Sequence, residues 1–225
     1  MILRVKKLGK VLIFDGRLKC SINSSQIRLE DDNQMVLCTS PQIQVDLSPQ
    51  TYAKVESVLS SLANANPIGY ELYTDGSAVP NPGPGGWGAV LYHNGQEVDN
   101  LSGGHAKTGN GKMEVTAMVQ GLSLIPEGEE CQVWSDAQCV VNTIGQGILT
   151  GSPKGWIAGW KRNGWKKKDG NPPENLKEIK ELYDALMAHV KAGSKLTFSW
   201  TKAHVGTIGN ERADELANEG RKAGV

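Results

Sequence analysis

Residues 70–86 read YELYTDGSAVPNPGPGG, an apolar run that ends in an aspartate and continues into a segment rich in glycine and proline. The aromatic and apolar residues over 70–74 are typical of a strand. Asp75 ends this predicted strand, and the residues from Gly76 to Gly86 predict a turn. The pattern therefore holds one carboxylate at the end of a strand.

Three further acidic residues, Glu114, Asp136 and Asp214, have comparable surroundings. Glu114 lies in the first turn of an apolar-periodic segment. Asp136 follows a strand-like run over 132–135, and Asp214 lies in the last predicted helix. Carboxylates that converge repel one another unless a cation neutralises them, and hard oxygen ligands select Mg²⁺ or Mn²⁺ over softer metals. Together with Asp75, these residues predict a metal-dependent phosphoryl-transfer site.

Each of these acidic residues also has an ordinary explanation when it is taken alone. An aspartate after a strand is commonly a cap or turn residue, and Asp136 is placed to cap the helix that follows it. Asp214 is placed to form an ion pair on a helix face with Arg212 or another neighbour. Only the joint pattern favours the metal site.

The overall charge does not indicate a partner, because 24 lysines and arginines balance 24 aspartates and glutamates. Two stretches are nevertheless basic, residues 1–19 and residues 154–168, and the second contains no acid. The four cysteines lack the spacing of a metal site. No apolar run approaches the roughly 20 residues of a membrane span. We therefore expect reduced thiols, a cytoplasmic location and no membrane association.

The first 66 residues predict a small α+β domain. Asp15-Gly16 signals a hairpin, and residues 49–63 predict a helix with a proline at its first position. A boundary at 64–67 then gives two predicted domains, 1–66 and 67–225. The predicted strands of the first domain cover 2–5, 11–14, 18–22, 26–29 and 35–38.

The second domain predicts an α/β fold, with a mixed sheet of five strands flanked by helices. Three hairpin-like strands come first and strands then alternate with helices, which is typical of a mixed sheet with helices packed on its faces. The predicted strands cover 70–74, 87–92, 97–101, 132–135 and 196–200. The predicted helices cover 112–124, 137–144, the segment between Pro173 and Gly193, and 210–221, with a connection over 150–170.

Five blocks of this domain resemble the type 1 ribonuclease H family, over residues of about 70–221. The blocks are 74–77 with 81–89, Asn110 with Met113-Glu114, 135–138, 156–166, and 202–206 with 210–217. Five blocks in order and at the right spacing are far more specific than any single motif. The resemblance implies a ribonuclease H-like fold. It also implies an endonuclease that hydrolyses the RNA strand of RNA/DNA hybrids and leaves 5′-phosphate and 3′-hydroxyl ends.

The resemblance further implies two Mg²⁺ ions at the four carboxylates, with Mn²⁺ as an alternative. Asp75 would bridge both ions. Glu114 and Asp136 would complete one metal site, and Asp214 would complete the other. Two such ions, about 3.5–4 Å apart, activate a water and stabilise the leaving 3′ oxygen of an in-line displacement.

His204 lies in a polar, glycine-containing stretch after the last predicted strand. The family resemblance suggests that its imidazole relays a proton or helps to eject product. The alternative is an exposed loop histidine. We expect the other three histidines, His93, His105 and His189, to be surface residues.

Substrate contacts are expected from small polar groups beside the carboxylates. The amides of Asn81, Asn110 and Gln138 offer both donors and acceptors, which suits base edges and sugar hydroxyls. The backbone of Gly76 and Ser77 is placed to contact 2′-hydroxyls, because glycine permits close approach. Turn and cap roles are the alternative for the amides.

Residues 155–168, called the basic protrusion below, interleave tryptophans with cations. They resemble the protrusion that some family members use to grip the DNA strand of a hybrid, since cations and aromatic rings suit a phosphate backbone and sugar stacking. The predicted contacts are Trp160, Lys161, Trp165, Lys166 and Lys167. We expect the tryptophans to be mostly core and the lysines mostly functional.

Two other functions compete with the endonuclease. A non-catalytic hybrid-binding module would be expected to have lost a carboxylate, and none is missing. A related nuclease acting on DNA would not need the set of Gly76, Ser77, Asn81 and Gln138. The partner is therefore expected to be an RNA/DNA hybrid and the chain a monomer, while the first domain is a candidate for binding nucleic acid or protein.

Overall fold

A computed structural model describes residues 69–203 and 207–224 in full, together with the backbone of five strands among the first 38 residues. The chain divides into two compact units, Met1–Ile68 and Gly69–Val225. Within the described residues, no helix is both long enough and apolar enough to cross a membrane.

The described strands of the first unit form two antiparallel sheets. They are β1 Ile2–Val5, β2 Lys10–Ile13, β3 Lys19–Asn23, β4 Gln26–Glu30 and β5 Val36–Cys38. One sheet has the order β1-β2-β5, and the other pairs β3 with β4. The predicted hairpin at Asp15-Gly16 is wrong, because β2 and β3 on either side of it pair with other strands; a turn signal favours a local reversal but does not choose the partner. The predicted helix over 49–63 lies outside the described residues.

The second unit contains a mixed sheet of six strands, which confirms the predicted ribonuclease H-like architecture. Its strands are β6 Tyr70–Ala78, β7 Gly83–His93, β8 Gln96–Thr108, β9 Glu130–Ser135, β10 Gly147–Ile148 and β11 Lys195–Trp200. The order is β10-β11-β9-β6-β7-β8, with β6, β9 and β11 parallel and the other pairs antiparallel. The edge strand β10 was not predicted, because two residues are too short to show a periodic pattern.

Five helices are described in this unit: α1 Asn110–Leu122, α2 Gln138–Ile144, α3 Trp156–Arg162, α4 Leu176–Ala192 and α5 Ile208–Ala223. Gly193 ends α4 in the left-handed region with φ 80°, as its position after the amphipathic run predicts. The segment expected to be a connection contains α3. Helix α1 begins two residues earlier than expected, so Glu114 lies beyond its first turn.

The core lies on both faces of the sheet. On one face, Leu72 and Phe198 are buried against Met118 of α1 and Leu182 of α4. On the other, Val90 of β7 packs against α5. Successive strand residues point to opposite faces, so β6 contributes to both layers, and each fully buried apolar side chain stabilises the fold by roughly 1.5–3 kcal/mol.

Strand β6 continues beyond its predicted end, so Asp75 lies inside the strand and not at its last residue. Two glycines assigned to a long turn instead pair with it, Gly86 with Ser77 and Gly85 with Ala78. Glycines within a strand mark places where another backbone approaches closely. At Gly88 a side chain would collide with the carbonyl oxygen of Ala213 in α5, so this glycine serves helix packing.

Candidate active site

Asp75 and Asp136 lie side by side because their strands are parallel neighbours. The register pairs Thr74 of β6 with Ser135 of β9, and each aspartate is the next residue along its strand direction. Asp75 is 8 % exposed. Neighbouring parallel strands therefore deliver two carboxylates to one edge of the sheet.

Glu114 reaches this edge from helix α1, and Gly76 permits the approach. A side chain on Gly76 would overlap the backbone of Met113 and Glu114, so only glycine lets the strand and the helix come this close. A backbone hydrogen bond also joins Gly76 to the Glu114 carboxylate. The structural role of Gly76 is thus to bring a third acidic side chain beside the first two.

The three carboxylates offer oxygen atoms that all lie within 4.8 Å of one another. Burial raises the pKa of Glu114 well above its ordinary value, and the charges of Asp75 and Asp136 raise it further, against a smaller lowering by the Gly76 hydrogen bond. The cluster therefore concentrates negative charge where water screens it poorly.

A divalent cation fits this cluster. Although the Glu114 side chain as a whole is half-buried, its Oε2 atom is enclosed and has no hydrogen-bond partner among the residues that the structure describes. A buried oxygen without a partner is costly, and a bound cation would supply that partner. All the converging atoms are carboxylate oxygens, the donors that Mg²⁺ and Mn²⁺ prefer.

Asp214 is not part of the group of three. It is half-buried on α5, where its Oδ1 atom accepts a hydrogen bond from Asn218 at 3.2 Å. The helix nevertheless reaches the cluster one turn earlier, because Asn210 Nδ2 donates to Asp136 Oδ2 at 3.0 Å. The structure thus brings three of the four predicted carboxylates together and places the fourth one helical turn from Asn210, which contacts Asp136.

The ordinary explanations for single residues do not describe the observed contacts. Helix α2 is capped at Ala137 without a side-chain hydrogen bond, so Asp136 is not its cap. Arg212 forms its ion pairs with Glu97, Glu215 and Glu219, and Asp214 is not among these partners.

Two contacts that hold Asp136 were not predicted from the sequence. Asn210 is 2 % exposed and donates to the carboxylate, while Trp200 Nε1 donates to the Asp136 backbone carbonyl at 2.9 Å. Asn210 belongs to the block that resembles the family, which was its only signal in the sequence. Contacts across more than sixty residues of chain need the fold before they can be seen.

Two of the predicted substrate-binding amides are linked to each other. Asn110 Oδ1 accepts from the backbone N–H of Ala78 at 2.6 Å, and Asn81 Oδ1 accepts from the Asn110 N–H at 3.2 Å. Both asparagines are exposed, as is Gln138 in the first turn of α2. The oxygens of Asn81 and Asn110 thus fasten the β6–β7 turn to α1, while their Nδ2 donors have no partner among the described residues.

Of the predicted contacts in the basic protrusion, Trp160 and Trp165 pack partly buried against the core. Trp156 is 51 % exposed, so the expectation that the tryptophans are mostly core is wrong for it. Lys166 is exposed, while Lys167 pairs with Asp169 at 3.5 Å. The Lys161 ammonium lies over aromatic rings rather than beside an acid.

The histidines divide differently from the prediction. His204 lies outside the described residues. His189 is buried and bonded, with Nε2 at 2.9 Å from the Leu122 carbonyl oxygen and Nδ1 at 3.1 Å from Ser194 Oγ. The prediction that His189 lies at the surface is wrong. The helical periodicity identifies the apolar face of the helix, but it does not show that a histidine can be buried with two hydrogen-bond partners. His93 and His105 are exposed as expected.

Comparison with known proteins identifies relatives of this chain. The RNase H family model matches residues 69–222. A ribonuclease H of Brucella ovis is 44% identical over 150 residues, which are 67% of this chain and 88% of that protein. A ribonuclease H of Mesorhizobium japonicum is 41% identical over 150 residues, 67% of this chain and 76% of that protein. Among solved structures, LC9-RNase H1, a type 1 RNase H with the type 2 active-site motif, has 21% identity, covers 69% of this chain and 73% of its own, and gives a TM-score of 0.55. A likeness at that identity concerns the fold alone.

Proposed function

Since this chain belongs to the ribonuclease H family, we propose that it is an endonuclease that hydrolyses the RNA strand of RNA/DNA hybrids. The observation that carries the proposal is the convergence of Asp75, Glu114 and Asp136 within 4.8 Å. A binding module would have no need to hold three mutually repelling carboxylates in a partly buried position. The two ribonuclease H relatives each match this chain over 150 residues, which are 67% of its length.

We assign Asp75, Glu114, Asp136 and Asp214 as ligands of two Mg²⁺ ions, with Mn²⁺ as the alternative. When bound, the ions supply Lewis-acid activation and charge stabilisation for an in-line displacement that leaves 5′-phosphate and 3′-hydroxyl ends. Asn210 and Trp200 hold Asp136 in orientation by hydrogen bonds to its carboxylate and its carbonyl. Rigid strands and helices, rather than loops, thereby set the positions of the ligands.

His204 is assigned the role of a proton relay on the segment before α5, by the family resemblance. An imidazole titrates near neutral pH and suits the transfer of a proton to or from the reacting groups. This assignment rests on the sequence, since His204 lies outside the described residues.

Discrimination of RNA from DNA is assigned to the exposed amides and the adjoining strand. The unpartnered donors of Asn81 and Asn110 suit the 2′-hydroxyl, which only RNA presents. Gln138, Gly76 and Ser77 complete this set. The linked asparagines are held by backbone contacts on both sides, so their donors are preorganised for a substrate hydroxyl.

The DNA strand is proposed to lie on the basic protrusion. Trp160 and Trp165 anchor it to the core, and Lys161, Lys166 and Lys167 face phosphates. Such contacts add affinity that depends on salt rather than on sequence. We further propose that the chain is a monomer, that it is located in the cytoplasm and that its first unit binds nucleic acid or protein. These proposals rest on the sequence alone.

Asparagine substitutions at Asp75 and Asp136 test the proposal. On a labelled RNA/DNA hybrid with Mg²⁺, we expect Asp75→Asn and Asp136→Asn to lower cleavage by at least about 10²–10³-fold, as for other preorganised charge-stabilising groups. Asp99→Asn removes an exposed carboxylate of β8 and serves as the control. Circular dichroism should show the same fold in all three variants.

Two substrates, an RNA/DNA hybrid and duplex DNA, separate the competing functions. Cleavage within the RNA of a hybrid supports the proposal, whereas binding without cleavage would indicate a hybrid-binding module. Cleavage of duplex DNA would indicate a DNA-acting nuclease. Near-normal turnover by either asparagine variant would refute the assignment of the site.

A further inference from the structure

A basic pocket is lined in part by the protrusion, away from the carboxylate cluster in sequence. Its volume is about 360 Å³, and the polar residues that line it are Ser152, Lys154, Lys161, Arg162 and Tyr183. They come from the segment before α3, from α3 itself and from α4. Small-molecule sites span roughly 300–1,000 Å³, so the pocket is large enough for a group of mononucleotide size.

The lining of the pocket is cationic. Lys154, Lys161 and Arg162 contribute three positive charges, and no acidic residue of the described part of the chain lines the pocket. None of the three is in an ion pair recorded among the described residues. Three neighbouring cations repel one another, and an anion between them removes that repulsion.

The parts of the pocket are held in place before any ligand arrives. Lys161 Nζ lies 5.1 Å from the centre of the Trp165 ring and 5.0 Å from that of Tyr183. The segment that carries Lys154 is fastened to the end of α2, because the N–H groups of Lys154 and Gly155 both donate to the Ile144 carbonyl, at 3.1 and 2.8 Å. A ligand therefore meets one ammonium that aromatic rings already hold in position and a second cation on a backbone segment that is already fixed, which lowers the entropy cost of binding.

We propose that this pocket binds a phosphate monoester, either the 5′-phosphate end of a nucleic acid strand or a free mononucleotide. A monoester carries a charge of about −1.5 to −2 at pH 7, whereas an internal phosphodiester carries one negative charge, so three cations favour the monoester. Arg162 is suited to bidentate contact with phosphate oxygens, and Ser152 and Tyr183 carry hydroxyl donors.

The nucleic-acid source of the ligand rests on the proposed function, since hydrolysis that leaves 5′-phosphates produces this chemical group at every cut. The pocket is distinct from the proposed grip on the DNA strand, with which it shares only Lys161. Its other cations, Lys154 and Arg162, have no part in the site assigned above.

Binding measurements on the full chain in EDTA test the pocket without any cleavage. Calorimetric titration with adenosine 5′-monophosphate and with adenosine compares a monoester with the same molecule lacking phosphate. Fluorescence anisotropy then compares one hybrid with 5′-phosphate ends and 5′-hydroxyl ends. The variants are Lys154→Gln and Arg162→Gln, and the control is Lys191→Gln, an exposed lysine of α4 outside the pocket.

We expect the monophosphate to bind and adenosine not to bind, with affinity lowered about tenfold in each pocket variant, as for loss of a charge-assisted hydrogen bond. The control should bind as the unaltered chain does. A preference for 5′-phosphate ends in the hybrid identifies strand ends as the ligand, and its absence beside binding of the monophosphate identifies a free nucleotide.

Two results would overturn the proposal that this pocket binds a phosphate monoester. One is equal binding of adenosine and its monophosphate, and the other is unchanged affinity in Lys154→Gln and Arg162→Gln. Thermal melts of the variants separate loss of binding from loss of folding. Because no step depends on cleavage, a failed nuclease assay leaves the monophosphate result intact, and the two proposals fail separately.

Discussion

Glu114 carries its charge where burial and two neighbouring carboxylates oppose it, so its pKa is raised above the ordinary value. The unfolded chain, with an unperturbed carboxyl, releases that proton at a lower pH than the folded chain does. Between the two pKa values the folded state binds more protons, and stability falls as pH rises through this window. In EDTA at neutral pH, Glu114→Gln is therefore expected to increase the free energy of unfolding, measured by urea denaturation from pH 4 to pH 8.

The exposed Glu127 provides the matched control, since Glu127→Gln removes a charge that lies in water. It should leave the pH dependence of stability unchanged. Added Mg²⁺ should stabilise the unaltered chain more than Glu114→Gln, because a cation relieves the repulsion that the substitution has already removed. A lower stability for Glu114→Gln across the whole pH range would contradict this account.

At the scale of single residues, the sequence revealed those side chains whose position follows from their own element. Asp75 and Asp136 come directly after the predicted strands 70–74 and 132–135, and parallel pairing then makes them neighbours. Asn210 and His189 could not be assigned in this way. Their partners, Asp136 and Leu122, lie more than sixty residues away, and a local pattern contains no information on such a contact.

Among the elements, the contact of α5 with β7 depends on glycine. A methyl group at Gly88 would meet the carbonyl oxygen of Ala213 and, at 2.6 Å, the backbone N of Ala217. Backbone atoms cannot rotate away as a side chain does, so helix and strand must separate. We expect Gly88→Ala to lower stability by about 3 kcal/mol or more, at the upper end for overpacking, as measured by thermal unfolding.

Gly159, in the middle of α3, is the control for this substitution. A side chain there has nothing within 4 Å, and alanine is the better helix former. Gly159→Ala should thus raise stability by about 0.5–1 kcal/mol. If both substitutions changed the stability equally, the steric clash inferred at Gly88 would be wrong.

We expect the basic protrusion to contribute to the salt dependence of hybrid binding. Replacing Lys166, Lys167 and Lys168 with alanine is expected to weaken hybrid binding and to reduce the slope of log K against log salt by about 2, since each phosphate contact contributes about 0.9. The expected reduction of the slope is smaller than the sum of three full phosphate contacts, because Lys167 also forms an ion pair with Asp169. Fluorescence anisotropy in EDTA over a salt series measures the slope.

Three exposed lysines outside the protrusion, Lys177, Lys191 and Lys222, give a variant with the same loss of charge. Their replacement should leave the slope closer to that of the unaltered chain. An unchanged slope in the protrusion variant would exclude these residues from the grip on the substrate.

Elements were predictable where one pattern repeated over many residues. Helix α4 appears between Pro173 and Gly193 as expected, and so do the strands β7 and β8. The Asn94-Gly95 turn that joins these strands has the positive φ values, 53° and 74°, that this hairpin type requires. The end of β6 was misplaced, because glycines that signal turns in isolation here allow helices to approach. Composition alone cannot separate these two uses of glycine.

For the molecule as a whole, the described core and the three converging carboxylates belong to one compact unit, Gly69–Val225. A fragment of residues 69–225 is therefore expected to unfold cooperatively and to cleave a hybrid with kcat within about threefold of the full chain, a factor worth less than 1 kcal/mol. Any role of the first unit in binding should appear as weaker hybrid affinity of the fragment. A fragment that fails to fold would contradict the assignment of independent units.

The close contact of α5 with β7 also has a consequence for the newly made chain. Asp75, Glu114 and Asp136 emerge from the ribosome well before α5, which covers Val90 and supplies Asn210 to Asp136. Synthesis that stops before residue 208 thus yields a polypeptide with its acidic side chains but with an uncovered apolar sheet face, the kind of surface on which incomplete chains aggregate. The covering of this sheet face and the hydrogen bond that holds Asp136 are in this way tied to the synthesis of α5.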